Sequence, residues 1–104
     1  VYFNATPNIY SMASEVCAAH ILVKGEGKAK ELLEKIKSGE SFARMAMQHS
    51  ECPSGKRGGD LGWFGRGRMV KEFEKAAFEG EKGAIVGPVK TPFGWHLIRI
   101  VDKR

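Results

Sequence analysis

Cysteine is scarce in this sequence: only Cys17 and Cys52 are present. They permit at most one bridge, and their spacing resembles no disulfide framework, so a reduced, intracellular chain is the simpler expectation. No apolar run approaches the roughly eighteen residues of a transmembrane helix, and no membrane partner is expected. No charged stretch followed by an apolar core opens the chain, so no signal peptide is read. A cytoplasmic placement is expected; because the chain starts at Val1 rather than Met, a missing upstream targeting segment would make it organellar. Metal-ligand spacing is absent too. His20, His49, His96, Cys17 and Cys52 offer donors, but no pair has zinc-finger or HExxH spacing, so neither metal nor cofactor is expected. Gly65-Arg66-Gly67 is no phosphate-binding P-loop, because GxxxxGK[ST] is missing. There are no internal repeats.

What is present is one ordinary domain's worth of chain, 104 residues with a formal net charge of +5. That length supports a single core without staples. The excess of positive charge favours acidic or phosphate-bearing partners, although many plain domains are as basic. Asn4-Ala5-Thr6 is a formal glycosylation sequon in a chain with no secretory signal. Residues 1–14 have no clean period and carry Pro7, and they are expected to form a poorly ordered tail ahead of a domain at 15–104.

Periodicity places the elements. Residues 16–23, VCAAHILV, are a continuous apolar run that fits a buried central strand. Ala18, His20 and Leu22 share one face of it, and Ala19, Ile21 and Val23 the other. Over 27–38, Ala29, Leu32, Leu33 and Ile36 recur at helical spacing, with Glu31 and Lys35 paired outside and Gly39 closing the helix. Ser41 N-caps a second helix at 42–49, with Phe42, Met45 and Ala46 inward. Residues 51–59 are turn chemistry. A short strand at 60–64 and a third helix at 70–79, closed by Gly80, follow. A strand at 83–89 is demoted to an edge by Pro88, and the last strand runs 95–101. The order β-α-α-β-α-β-β predicts a compact α+β domain, a mostly antiparallel sheet covered by helices. The two long strands, first and last, are too apolar for edges and should be the central pair.

Chemistry concentrates in a few residues. His20 and His96 lie on strands expected to be neighbours. Paired imidazoles hydrogen-bond with one as donor and one as acceptor, which fixes both tautomers. A purely structural network remains the open alternative. Cys52 sits in a turn near Lys56 and Arg57, cations that favour a thiolate, so a Cys/His nucleophile is conceivable beside the reading of an inert surface thiol. Met69 and Phe73 are four residues apart at the start of the third helix, as core packing or as a pocket wall. Over residues 56–71, five cations (Lys56, Arg57, Arg66, Arg68, Lys71) oppose only Asp60. With Trp63 and Phe64 among them, the pattern resembles weak nucleic-acid binding as well as a solvated rim.

Three ordered motifs then become recognisable. They are His20-Ile21-Leu22-Val23-Lys24; the run from Ser50 to Phe64 with Gly67-Arg68-Met69-Val70 and Phe73-Glu74; and Gly87-Pro88-Val89 with Thr91-Pro92-Phe93-Gly94-Trp95-His96-Leu97-Ile98. From Cys17 to Val101 the chain resembles the parvulin (PpiC, rotamase) family of peptidyl-prolyl cis-trans isomerases. The resemblance implies the family's fold, a four-stranded antiparallel sheet wrapped by helices in the FKBP-like manner. It implies that His20 and His96 are the catalytic-centre histidines, that Thr91 is the hydroxyl residue near them, and that Cys52 holds a position filled by cysteine or aspartate across the family. Leu61, Met69 and Phe73 match the pocket for the substrate proline ring. Phe93 stands where phosphate-directed members carry serine. Those members also carry a long basic loop after the first strand; here only Lys24 remains, followed by Gly25-Glu26-Gly27. The resemblance therefore implies an isomerase of Xaa-Pro bonds in peptides and partly folded proteins, without a strong phosphate requirement and acting as a monomer. Lys24, Lys56, Arg57 and Arg68 stay as candidate contacts for an anionic ligand. A parvulin-fold binding module for proline-containing or nucleic-acid ligands is the alternative.

Overall fold

The structure, a computed structural model, describes residues 13–104. The Asn4 sequon and most of the tail expected over 1–14 lie outside the described residues. Ala13 and Ser14 lie inside them: Ala13 packs on the core, and the Ser14 amide donates to the Arg104 carbonyl at 2.8 Å.

Four strands and three helices alternate as β1 (Glu15–Val23), α1 (Glu26–Lys37), α2 (Phe42–His49), β2 (Asp60–Gly65), α3 (Lys71–Glu79), β3 (Ile85–Thr91) and β4 (Gly94–Lys103). The strands form one sheet in the order β2-β1-β4-β3, antiparallel at every junction. The two long apolar strands are the central pair, as their composition required. β3 is an edge, and its pairing with β4 shifts register between Val86 and Val89, around Pro88. A proline there withholds an amide that a central strand would need.

Each face of the sheet has its own core. Ala19, Ile21, Val23 and Leu97 meet α1 and α2 through Ala29, Leu32, Phe42, Met45 and Ala46. On the other face Val16, Ala18, Ile98 and Ile100 meet α3 and β2 through Phe64, Phe73, Ala77 and Phe78. The period-two split of β1 is thus the division between two cores. The Ser41 hydroxyl caps α2 by accepting from the Arg44 amide at 3.2 Å, and Glu31 pairs with Lys35 at 3.5 Å across one helical turn.

Several boundaries differ from the sequence expectation. β4 runs past 101 because Asp102 and Lys103 pair with Cys17 and Val16. β3 begins two residues late, since Gly83 instead donates its amide to the Ile100 carbonyl at 2.7 Å within a turn. The 51–59 turn contains a short 3-10 helix at Pro53–Arg57. Gly80 does close α3, but in extended conformation at φ −74° rather than as a left-handed cap. A Cβ there would crowd Ile100 and Val86 at 3.1 and 3.2 Å, so a side chain would need both neighbours to give way.

One glycine positions the site. The chain leaving the 3-10 helix crosses β1 at His20, where the His20 amide donates to the Gly59 carbonyl at 2.9 Å. Gly59 has φ +86°, and a Cβ on it would lie 2.3 Å from the His20 carbonyl oxygen. Both the left-handed backbone and the contact exclude any side chain. Gly59→Ala should cost more than about 2 kcal/mol, read as a fall in the urea unfolding midpoint. A midpoint matching the parent protein would overturn this account of the crossing.

Candidate functional site

The site begins with the register of the central strands. His20 lies opposite Ile98, and His96 lies opposite Leu22, which makes the histidines diagonal neighbours on one face. At that spacing long side chains still meet. Their Nδ1 atoms are 3.0 Å apart, with ring planes inclined by only 19°. Both residues are buried. Only one proton fits between two facing ring nitrogens, so one imidazole donates and the other accepts.

The outer nitrogens are also engaged. Thr91 Oγ1 lies 2.7 Å from His96 Nε2 and itself accepts the Phe93 amide at 3.2 Å. Ser54 Oγ lies 3.1 Å from His20 Nε2 and donates to Cys52 Sγ at 3.3 Å. One assignment of protons satisfies every group. Thr91 donates to His96 Nε2, His96 Nδ1–H to His20 Nδ1, His20 Nε2–H to Ser54, and Ser54 to the sulfur. The result is an unbroken polar chain from Thr91 to Cys52, running under the cavity and uncharged at both imidazoles.

Burial enforces that neutrality. It holds the His20 pKa down at about 4, with the neighbouring His96 adding to the effect, and desolvation likewise holds His96 at about 4. A charged imidazole here would lose water and also lose the acceptor its partner needs.

Apolar residues complete the wall. Phe73 stands edge-on to both imidazoles, 5.5 Å from His20 and 5.2 Å from His96 between centroids. Leu61 is brought in by a β-bulge: Asp60 pairs with Ala19 and Gly62 with Ala18, which leaves Leu61 unpaired. Such an extra residue re-aims a side chain, here onto the cavity wall. Met69 lies just before α3 rather than within it, since Val70 is the N-cap and the helix begins at Lys71. It still meets Phe73 on the wall. The cavity holds about 490 Å³, and its lining is overwhelmingly apolar.

Of the residues singled out in the sequence, the cavity gathers His20, Cys52, Leu61, Met69, Phe73, Phe93, His96 and Arg68. Thr91 lies behind His96 and reaches the site through it. Lys24, Lys56 and Arg57 are exposed and do not line the cavity. Cys17 is also outside it, and burial, reinforced by Asp60 and Asp102, pushes its thiol up. The direct Cys/His pair considered for Cys52 is replaced by a serine-bridged one. Phe64 is only 3% exposed and belongs to the core, and Trp63 is covered by Arg104 at 4.0 Å. Of the two aromatics that suggested nucleic-acid stacking, Phe64 is thus core, and Trp63 stays partly exposed beneath Arg104.

Ser54 was missed by sequence reasoning. A small polar residue in a turn carries no signal of its own; only its place two residues beyond Cys52 hinted at a shared loop. Leu22, Pro53 and Val70 also line the cavity unannounced, as does Glu51 at its edge.

The site is thus a hydrophobic cavity floored by a buried, hydrogen-bonded imidazole pair. The chain belongs to the PPIC-type PPIASE domain family, whose model matches residues 6–104. It is 51% identical over 90 residues to the foldase protein PrsA of Geobacillus sp. (strain WCH70), covering 86% of this chain and 33% of that one. The crystal structure of the peptidylprolyl isomerase PrsA of Bacillus anthracis superposes with TM-score 0.86 at 39% identity, covering 98% of this chain and 47% of the other. The solution structure of NmPin, the parvuline of Nitrosopumilus maritimus, gives TM-score 0.77 at 40% identity, covering 85% of this chain and 96% of that one. The chain spans about a third of the length of the curated foldase relatives it matches.

Two outcomes follow from the buried network. In the unfolded chain both imidazoles titrate near 6.5, and in the folded one near 4. Unfolded molecules therefore take up protons first as pH falls. The stabilisation from the neutral pair is complete above about 6.5 and lost progressively between 6.5 and 4. Urea midpoints should fall over that window, and less steeply in His96→Asn; equal slopes would contradict the assignment. Ser54→Ala strands the His20 Nε2–H and should cost about 1–3 kcal/mol in the same assay. An unchanged midpoint would remove Ser54 from the chain of hydrogen bonds.

Proposed function

We propose that this domain accelerates cis-trans interconversion of Xaa-Pro bonds by stabilising the twisted amide without covalent chemistry. The observation that carries the reading is the cavity itself, with Leu61, Met69 and Phe73 as wall and the buried His20–His96 pair as floor. The barrier to rotation is lost amide resonance, about 18–20 kcal/mol. A planar amide is more charge-separated than a twisted one, so a desolvated apolar site disfavours the planar forms relative to the transition state. In this reading the wall grips the proline ring while the Xaa carbonyl turns. Cys52, whose sulfur already accepts the Ser54 hydroxyl, borders the rotating group rather than attacking it. The histidines keep the floor polar yet uncharged. Phe93, 58% exposed at the rim, offers an apolar surface to the residue beside the proline.

The reaction carries no strong phosphate requirement in this reading. Among the described residues Arg68 is the only lysine or arginine on the cavity lining, and Lys24 is outside it. Partly folded proteins as clients are supported by the relatives named foldase, and by a relative named chaperone SurA in Alkalilimnicola ehrlichii, 42% identical over 102 residues.

The test is cis-trans exchange in Xaa-Pro peptides, followed by NMR with and without the protein. Exchange should accelerate, and phosphoserine before proline should bring no more than about a tenfold gain, the equivalent of about 1.4 kcal/mol. Met69→Ala and Leu61→Ala should each lower kcat/KM at least tenfold, with circular dichroism unchanged. Phe73 is a poor probe, since it is 3% exposed and its truncation would cost the core about 3–5 kcal/mol. Full activity in a Met69→Ala/Leu61→Ala double variant would sink the pocket assignment.

A further inference from the structure

The cavity's apolar lining carries two charged side chains, Arg68 and Glu51, both exposed at its rim. Several charges elsewhere on the fold are engaged. Glu74 accepts the Gly67 amide at 2.6 Å, Arg66 covers Phe78 at 4.3 Å, and Glu15 holds Arg104 at 2.7 Å. Arg68 and Glu51 have neither an ion pair nor a side-chain hydrogen bond among the described residues.

Their backbones are nonetheless pinned. Gly67, beside Arg68, is tied to Glu74. The Glu51 amide donates to the Leu22 carbonyl at 2.7 Å, and Ser50 Oγ accepts both the Leu22 amide at 3.1 Å and the Cys52 amide at 3.3 Å. Two opposite charges, each on fixed backbone and neither satisfied internally, lie on the lining of one apolar cavity. A free charge at the edge of a binding site raises affinity for an opposite charge and penalises a like one.

We infer that Arg68 and Glu51 read the charges on either side of the client's proline, favouring a basic residue before it and an acidic residue after it. This rests on the isomerase reading above. There the rotating Xaa carbonyl borders Cys52, so the Xaa side chain lies towards Glu51. The proline ring lies against Met69, so the following residue passes towards Arg68. The substrate class is then a dipolar segment, basic-Pro-acidic.

The overall net charge of +5 would attract any acidic peptide, so the comparison must hold composition constant. Two peptides with swapped order do this, one with Lys-Pro-Glu and one with Glu-Pro-Lys between identical flanks. An Ala-Pro-Ala peptide serves as the neutral reference. Exchange NMR reads kcat/KM for each. Two rim ion pairs of ordinary strength predict a ratio of about fivefold for Lys-Pro-Glu over Glu-Pro-Lys. The ratio should shrink towards one in 1 M salt, where the screening length is about 3 Å. It should invert in Glu51→Lys/Arg68→Glu. Because the ratio is taken within each variant, a general loss of activity cancels. A ratio of one with the Ala-Pro-Ala peptide still catalysed would overturn the charge reading and leave the isomerase intact. No catalysis of any of the three peptides would overturn the isomerase reading and this inference together.

Discussion

The hydrogen bond between His20 Nδ1 and His96 Nδ1 is the constraint on which the rest depends. Two imidazoles meet nitrogen to nitrogen only when one facing nitrogen carries a proton and the other does not, and burial keeps both rings uncharged. Each tautomer is set by what the other ring nitrogen finds. Thr91 must therefore present a hydroxyl proton to one ring, and Ser54 an oxygen to the other. Strand register brings the rings together, since a one-residue slip of β4 would turn His96 to the α1–α2 face. A polar feature of four side chains thus fixes the pairing of the two longest strands, in a core that apolar packing alone would specify less sharply.

The loop between α2 and β2 is shaped by the same need. Ser54 is buried and lies 34 residues from His20 along the chain. To bring it there, the segment must turn in a 3-10 helix and press flat against β1, which Gly59 permits by lacking a side chain. The bulge that follows puts Leu61 on the cavity wall. Floor and wall are consequently coupled: the backbone that delivers the serine also delivers the leucine. The glycine density of this stretch reflects close backbone approach more than mobility.

Much of this was legible in the sequence, and the exceptions have physical causes. Period two in β1 announced both cores, and Ala29, Leu32, Leu33 and Ile36 announced α1, because burial on one face leaves a regular trace. Pro88 announced an edge because a missing amide is a local fact. The ends of β3 and β4 were misjudged because they depend on partners far along the chain, Ile100 for Gly83 and Cys17 for Asp102. The histidine pair could be proposed from two apolar strands with one polar residue each. Ser54 could not, since nothing in Pro-Ser-Gly distinguishes a buried bridging hydroxyl from an exposed one. Phe64 could not be told from a stacking residue for a related reason: aromatics beside cations look alike whether they face a ligand or their own core.

The distribution of charge separates scaffold from site. Lys103 closes the C-terminal end of α3 through the carbonyls of Phe78 and Gly80, where the helix's unpaired acceptors favour a cation. Arg104 lies over Trp63 and pairs with Glu15, tying the end of β4 to the start of β1. These charges face groups that folding brings to them. Around the cavity the arrangement is opposite. The floor is kept uncharged by burial, and the rim keeps Glu51 and Arg68 unsatisfied. A neutral floor suits a reaction in which charge separation falls on the way to the transition state, because a fixed ion there would favour the planar amide. Charges at the rim would act on neighbouring side chains instead, where they would alter which segment binds without opposing the rotation. On the proposed reading, selectivity and catalysis would share one cavity while using different residues at different depths.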